Sequence, residues 1–233
     1  MRWSLPAFKR VVPLAAVRGA LDAEALAALE ARYALSRWDG CLSAQEWRES
    51  LYALDVLRQH LPAALPDGRA LDVGSKNGCM LAGLATGAPR GWDACELDAH
   101  RRYLWGSTRR VYGERVAAAF PGCRFHACDV RDLAGRWALV TWFLPFLTEG
   151  AVAAWGLPKD VLQPEALLRH VLSRVLPGGV VLLVNQGEHE QALQRALLER
   201  VGATFRELGR VESRLSPYRR ERFGFLVSVS TGG

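Results

Sequence analysis

Seven consecutive residues, Asp72-Val73-Gly74-Ser75-Lys76-Asn77-Gly78, set a carboxylate, two glycines, a hydroxyl and an ammonium at the end of a short apolar run. Glycine reaches positive φ without a Cβ penalty and lets a ligand approach the backbone closely, so Gly74 and Gly78 frame a candidate ligand-binding turn. Two more acids, Glu96 and Asp129, end later apolar runs. Glu96 stands about 20 residues beyond Gly74, the spacing of a carboxylate that accepts hydrogen bonds from both hydroxyls of a ribose. Asp129 is placed to accept from the exocyclic amine of a base. Each residue also has a plain structural reading. Asp72 could cap the next helix, and Glu96 and Asp129 could be solvated strand ends.

The elements that must position these groups follow from the pattern of apolar residues. Pro6 and Pro13 make residues 1–20 irregular. Residues 22–36 have strong helix propensity. Ser43 and Glu46 form a capping box that opens a second helix through Trp47, Leu51, Leu54 and Leu57. Residues 1–68 therefore read as an N-terminal helical extension and 69–233 as an α/β domain. In the second part, strands at 70–74, 91–98, 123–129, 137–147 and 180–186 alternate with helices in 79–87, 99–120, 164–176 and 188–202. Pro177-Gly178-Gly179 would stop the third of these helices and Gly202 the fourth. Such alternation implies parallel βαβ units in a three-layer arrangement. The apolar body of residues 180–184 fits a strand covered on both faces. Residues 204–213 and 222–230 lack a long helix between them and should pair antiparallel. The expected fold is a Rossmann-like, mostly parallel seven-stranded sheet with an antiparallel C-terminal pair. Ligands of such sheets bind outside the carboxyl ends of the strands, where Asp72, Glu96 and Asp129 stand.

Composition narrows the class. The chain has 233 residues, half of them hydrophobic and 23% charged, as in a folded globular protein. Its net charge of +6 comes almost wholly from arginine, because the lysines are only Lys9, Lys76 and Lys159. With abundant Ala, Leu and Gly, that bias reads as a GC-rich bacterial genome. The arginines are dispersed, so nucleic acid is not the favoured partner. The cysteines, Cys41, Cys79, Cys95, Cys123 and Cys128, are odd in number and form no C-x-x-C, which argues against a disulfide framework or a zinc site. Neither a signal peptide nor a run of ~20 apolar residues is evident, and a reducing cytoplasm is the expected compartment.

Four segments in order resemble class I S-adenosylmethionine-dependent methyltransferases. Residues 71–78, LDVGSKNG, look like the family's acid and glycine-rich loop. CELD resembles its second acidic position, and HACDVRDL its third-strand Asp motif. LLRHVLSRVLPGGVVLLV resembles the run of helix, Pro-Gly-Gly and fifth strand. The resemblance covers about residues 71–229. It implies S-adenosylmethionine as cofactor, with Asp72 helping to hold the methionine amino group. Gly74, Ser75, Lys76 and Gly78 would line the loop, Glu96 would bind ribose, and Asp129 with Val130 would flank adenine. One position departs from the pattern, since Lys76 stands where the family has a glycine.

The acceptor of the methyl group is not identified by the sequence. Trp142, Phe143 and Phe146, in the later part of the run that holds the fourth strand, are either a stacking pocket or ordinary core. His189, within residues 185–190, is either a polar group at the ligand edge or part of a helix cap. Arg219, Arg220 and Arg222 could meet an anionic substrate or form a solvated loop. Methyl transfer from a sulfonium needs mainly alignment of the acceptor, so the lack of a Ser/His/Asp or Cys/His set is no objection. The competing reading is a non-catalytic binding or scaffold protein in which Lys76 alters the loop. A nicotinamide-dependent oxidoreductase would require G-x-G-x-x-G, which is absent.

Overall fold

A computed structural model describes residues 10–104 and 106–230. The N-terminal segment contains α1 (Ala15–Arg18), α2 (Ala23–Glu30) and α3 (Ala44–His60). The sheet follows, with its connecting helices in chain order: β1 (Ala70–Val73), α4 (Leu81–Gly87), β2 (Trp92–Cys95), α5 (Arg109–Ala118), β3 (Arg124–His126), β4 (Trp137–Phe143), α6 (Glu149–Trp155), α7 (Pro164–Ser173), β5 (Val175–Gln186), α8 (Gly187–Arg200), β6 (Thr204–Arg210) and β7 (Arg222–Ser228).

The seven strands are ordered β3-β2-β1-β4-β5-β7-β6, with β7 antiparallel to both its neighbours and the others parallel. This is the expected mostly parallel sheet with an antiparallel C-terminal pair. One apolar layer includes Leu71, Val140, Val181 and Leu183 with Leu168 and Leu198 from α7 and α8. The other joins Leu139, Leu182 and Leu226 to α3, α4 and the N-terminal helices. Burial on both faces explains the unbroken apolar runs of β4 and β5. No helix among the described residues is long and apolar enough to cross a membrane.

The capping box forms as expected: the Ser43 amide donates to Glu46 Oε2 at 2.8 Å and the Glu46 amide to Ser43 Oγ at 3.4 Å. Elsewhere local chemistry redraws the boundaries. Residues 99–120 are not one helix. Gly106 adopts φ +90°, Arg102 bridges Thr108, and Thr108 caps the shorter α5. The helix expected over 164–176 ends at Ser173, because Val175 already pairs with Trp137. Pro177, Gly178 and Gly179 then lie within β5, where the register shifts against β4. The helix expected over 22–36 stops at Glu30, followed by a 3-10 turn at Leu35–Trp38. Within residues 10–20, α1 is a single turn and Val11 forms an isolated bridge with Ser43, and the irregularity expected of residues 1–9, Pro6 included, lies outside the described residues. Strands β2 and β3 are also shorter than expected. Glu96 thus sits one residue past β2, and Asp129 stands beyond β3 at the start of the 3-10 turn Val130–Asp132.

Candidate functional site

A cavity of about 410 Å³ opens at the carboxyl edge of the parallel strands, within the usual ~300–1,000 Å³ of small-molecule sites. Of the residues singled out from sequence, Asp72, Gly74, Ser75, Lys76, Glu96, Asp129 and Val130 all line it. Gly78 does not. It adopts φ +69°, and a Cβ there would meet Gly113 Cα of α5 at 3.4 Å, so it serves the turn and its packing. Gly74 has φ +70° and open space where a Cβ would stand, which leaves the backbone approachable from the cavity.

Glu96 is buried and fixed by backbone donors. Its Oε2 accepts from the Lys76 amide at 2.7 Å and its Oε1 from the Asp98 amide at 2.8 Å. Each oxygen retains a lone pair for a further donor. Burial pushes its pKa up, opposed mainly by Arg109, whose guanidinium lies 3.7 Å from Oε1. Arg109 is itself buried, stacks 4.6 Å from the Trp155 ring centre and pairs with Asp98 at 3.1 Å. Asp72 is not a helix cap. It is buried beside Thr141, whose hydroxyl donates to it at 2.8 Å, and burial raises its pKa to about 7. Asp129 accepts from the amide of Arg131 at 2.8 Å and from its guanidinium at 2.7 and 3.0 Å, which holds its carboxyl below the usual range.

Lys76, the departure from the family pattern, does not swing out to solvent. Its backbone is left-handed, at φ +57°, and its Nζ lies 3.5 Å from Glu49 Oε1 on α3. The Glu49 carboxylate, more than burial opposes it, drives the Lys76 pKa upward. Leu144 has φ +58°. Among the described residues these are the two non-glycine residues with left-handed φ, and both line this cavity. Such backbone strain, of order 1–3 kcal/mol per residue, concentrates at functional sites.

Trp142, Phe143 and Phe146 all line the cavity, Phe143 edge-on to Tyr52 at 6.2 Å and Phe146 edge-on to Trp155 at 5.9 Å. Of residues 185–190, Gln186 alone lines it, and Glu190 accepts from the Gln186 amide at 2.9 Å as a cap. Arg222 reaches the cavity, whereas Arg219 and Arg220 do not. Sequence reasoning missed Glu49, Arg109 and Tyr218, and it placed Thr141 and Leu144 only in the run that ends the fourth strand, without a role for either. For Thr141 a signal existed: it aligns with Asp72 in the β1–β4 register, which follows once the two strands are paired.

The fold is that of solved class I methyltransferases. TrmN from Thermus thermophilus superposes with a TM-score of 0.53 at 21% identity, over 81% of this chain and 54% of that one. The chain thus spans about half the length of TrmN. A methyltransferase from Pyrococcus furiosus gives 0.53 at 15% identity, over 76% and 80%. The N-methyltransferase NodS from Bradyrhizobium japonicum gives 0.54 at 13%, over 78% and 97%. No protein-family model matches the chain, and no curated sequence does.

Proposed function

We propose that the protein is an S-adenosylmethionine-dependent methyltransferase. The observation that carries this reading is the buried Glu96 carboxylate, held by two backbone amides with a lone pair left on each oxygen, facing the same cavity as the open Gly74 turn. That arrangement fits the ribose and the extended chain of the cofactor. The neighbours named above are methyltransferases, and TYW2 from P. horikoshii, similar at a TM-score of 0.51 and 11% identity, was solved in complex with MeSAdo.

In this reading Glu96 accepts from the ribose hydroxyls. The backbone of Gly74, Ser75 and Lys76 lines the methionine chain, with Asp72 beneath its ammonium. Val130 packs on the adenine, and Asp129, already braced by Arg131, keeps an acceptor position for the ring amine. The cofactor supplies a methyl group already activated by its sulfonium. The protein's part is to align the acceptor and exclude water.

Lys76 favours one alternative, a non-catalytic binding protein of the same fold. Calorimetry of the full chain with S-adenosylmethionine separates the two. The methyltransferase reading expects micromolar affinity, weakened roughly ten- to a hundredfold in Glu96→Ala by loss of hydrogen bonds to a charged group. Circular dichroism should be unchanged in the variant. A folded protein with no measurable heat of binding would remove the reading.

A further inference from the structure

We propose that the methyl acceptor is a small anionic molecule with an apolar body, whose carboxylate or phosphate is held by Arg222. This deepens the methyltransferase reading and rests on it. The argument begins with the sheet. The cofactor residues lie at the ends of β1 and β2 and just beyond β3. The cavity continues past them to Gln186 at the end of β5 and to Arg222. Arg222 opens β7, and because β7 runs antiparallel its first residue reaches the same edge as the last residue of β5, with Gln186 paired to Arg222. The half of the cavity beyond β4 is therefore left for the acceptor. Phe143 and Tyr218 wall it, each edge-on to Tyr52.

Arg222 is buried without a counter-ion among the described residues. Its Nη1 donates to Gln186 Oε1 at 2.9 Å and to the carbonyls of Arg220 and Glu221 at 3.3 and 3.4 Å, and its guanidinium stacks 4.3 Å from the Tyr218 ring centre. All of these partners are neutral. Glu190 acts on it only from beyond ion-pairing distance. A buried cation lacking a carboxylate is costly, and arginine's planar fork matches a carboxylate or phosphate in two-point contact.

The surroundings sharpen the sign of the ligand. Arg222 and Tyr218 also line an outer groove of about 660 Å³, so they stand where the two spaces adjoin. Six arginines and four carboxylates line that groove. The carboxylates pair with Arg58, Arg210 and Arg214: Asp55 with Arg58, Glu212 and Glu221 together with Arg210, and Glu24 with Arg214, so the lining keeps an excess of two positive charges. Arg219, Arg220 and Arg222 remain without an acidic partner among the described residues. An anion entering by the groove meets uncompensated positive charge that ends at Arg222, with aromatic walls beyond it.

The test loads the full chain with S-adenosylhomocysteine and titrates it with benzoate, phenyl phosphate and benzamide. Benzamide has the shape of benzoate without its charge. At least one anion should bind about tenfold more tightly than benzamide. Which anion does so distinguishes a carboxylate acceptor from a phosphate one. In Arg222→Met the preference should disappear while affinity for S-adenosylhomocysteine stays the same. Equal binding of the acids and the amide by the wild-type protein, or no binding of any, would overturn the proposal without need of the variant. So would a preference that survives in Arg222→Met. Absence of S-adenosylhomocysteine binding, seen in the first titration, would overturn the cofactor reading and this proposal together.

Discussion

Lys76 keeps a left-handed backbone that glycine would adopt at less cost. Two contacts offset that cost, its amide to Glu96 and its ammonium to Glu49. If the loop holds the methionine end of the cofactor, this ammonium and carboxylate lie beside an ammonium and carboxylate of the ligand. Lys76→Met should then weaken binding of S-adenosylhomocysteine by about tenfold, the size of one charge-assisted contact. Binding of 5′-methylthioadenosine, which lacks the amino-acid end, should not change. Equal losses for both ligands, measured by calorimetry, would show that Lys76 acts only on loop shape. That Lys76 departs from the pattern was legible in the sequence. Its partner was not, because Glu49 lies on α3 at a position with the helical spacing of any buried face. Only the packing of α3 over the loop makes it a site residue.

Helices α3 and α4 approach each other so closely that a Cβ on Gly83 would stand 1.9 Å from the Ser50 carbonyl oxygen and 3.1 Å from the Leu54 amide nitrogen. Both obstacles are backbone, so the helices must separate. Gly83→Ala should cost about 3 kcal/mol or more, at the upper end for overpacking and against alanine's better helix propensity. Equilibrium urea denaturation measures it, and a cost below about 1 kcal/mol would mean that the contact is easily relaxed. The same contact shows why elements were read unevenly from sequence. Ser43 and Glu46 announce α3 through chemistry local to four residues, and β4 and β5 announce themselves by apolar runs. The segment 99–108 has good helix formers, yet at Gly106 and Thr108 it departs from a helix, with Arg102 bridging Thr108 and the Tyr103 amide donating to the Ser107 carbonyl. Pro177-Gly178-Gly179 has the composition of a stop, but β4 recruits the residues on both sides into a strand. Pairing partners decided both outcomes, and they lie far along the chain.

Across the whole molecule, two buried aspartates pull stability in opposite directions with pH. Burial would raise the Asp93 pKa, but hydrogen bonds from Arg69, Trp137 and His126 outweigh it and hold the pKa at about 2. A depressed acid contributes stability above 3.8 that is lost as pH falls toward 2. Burial, with Glu96 adding to it, raises Asp72 to about 7 against the bond from Thr141. A raised acid does the reverse: the folded state binds the proton more tightly, so stability declines as pH climbs from 3.8 through 7. At roughly 1.4 kcal/mol per pKa unit this decline is on the order of 4 kcal/mol. Asp72→Asn should remove it. Without cofactor, the melting temperature of the variant should exceed that of the wild type by several degrees at pH 8, with the gap closing toward pH 4. Parallel melting curves across that range would contradict the buried, proton-retaining Asp72. The order of the sheet has a further consequence for how the chain comes together. Strand β7 leaves the ribosome after β6, yet it lies between β6 and β5. Until it arrives, β6 has no neighbour and β5 has an open edge. The glycine turn, Glu96 and Asp129 are all synthesised earlier, whereas Tyr218 and Arg222 arrive at the end. Synthesis therefore delivers the proposed cofactor residues, then Phe143 and Gln186, and only afterwards Tyr218 and Arg222, so the proposed acceptor side is the part of the cavity still incomplete when the glycine turn and its acids are already made.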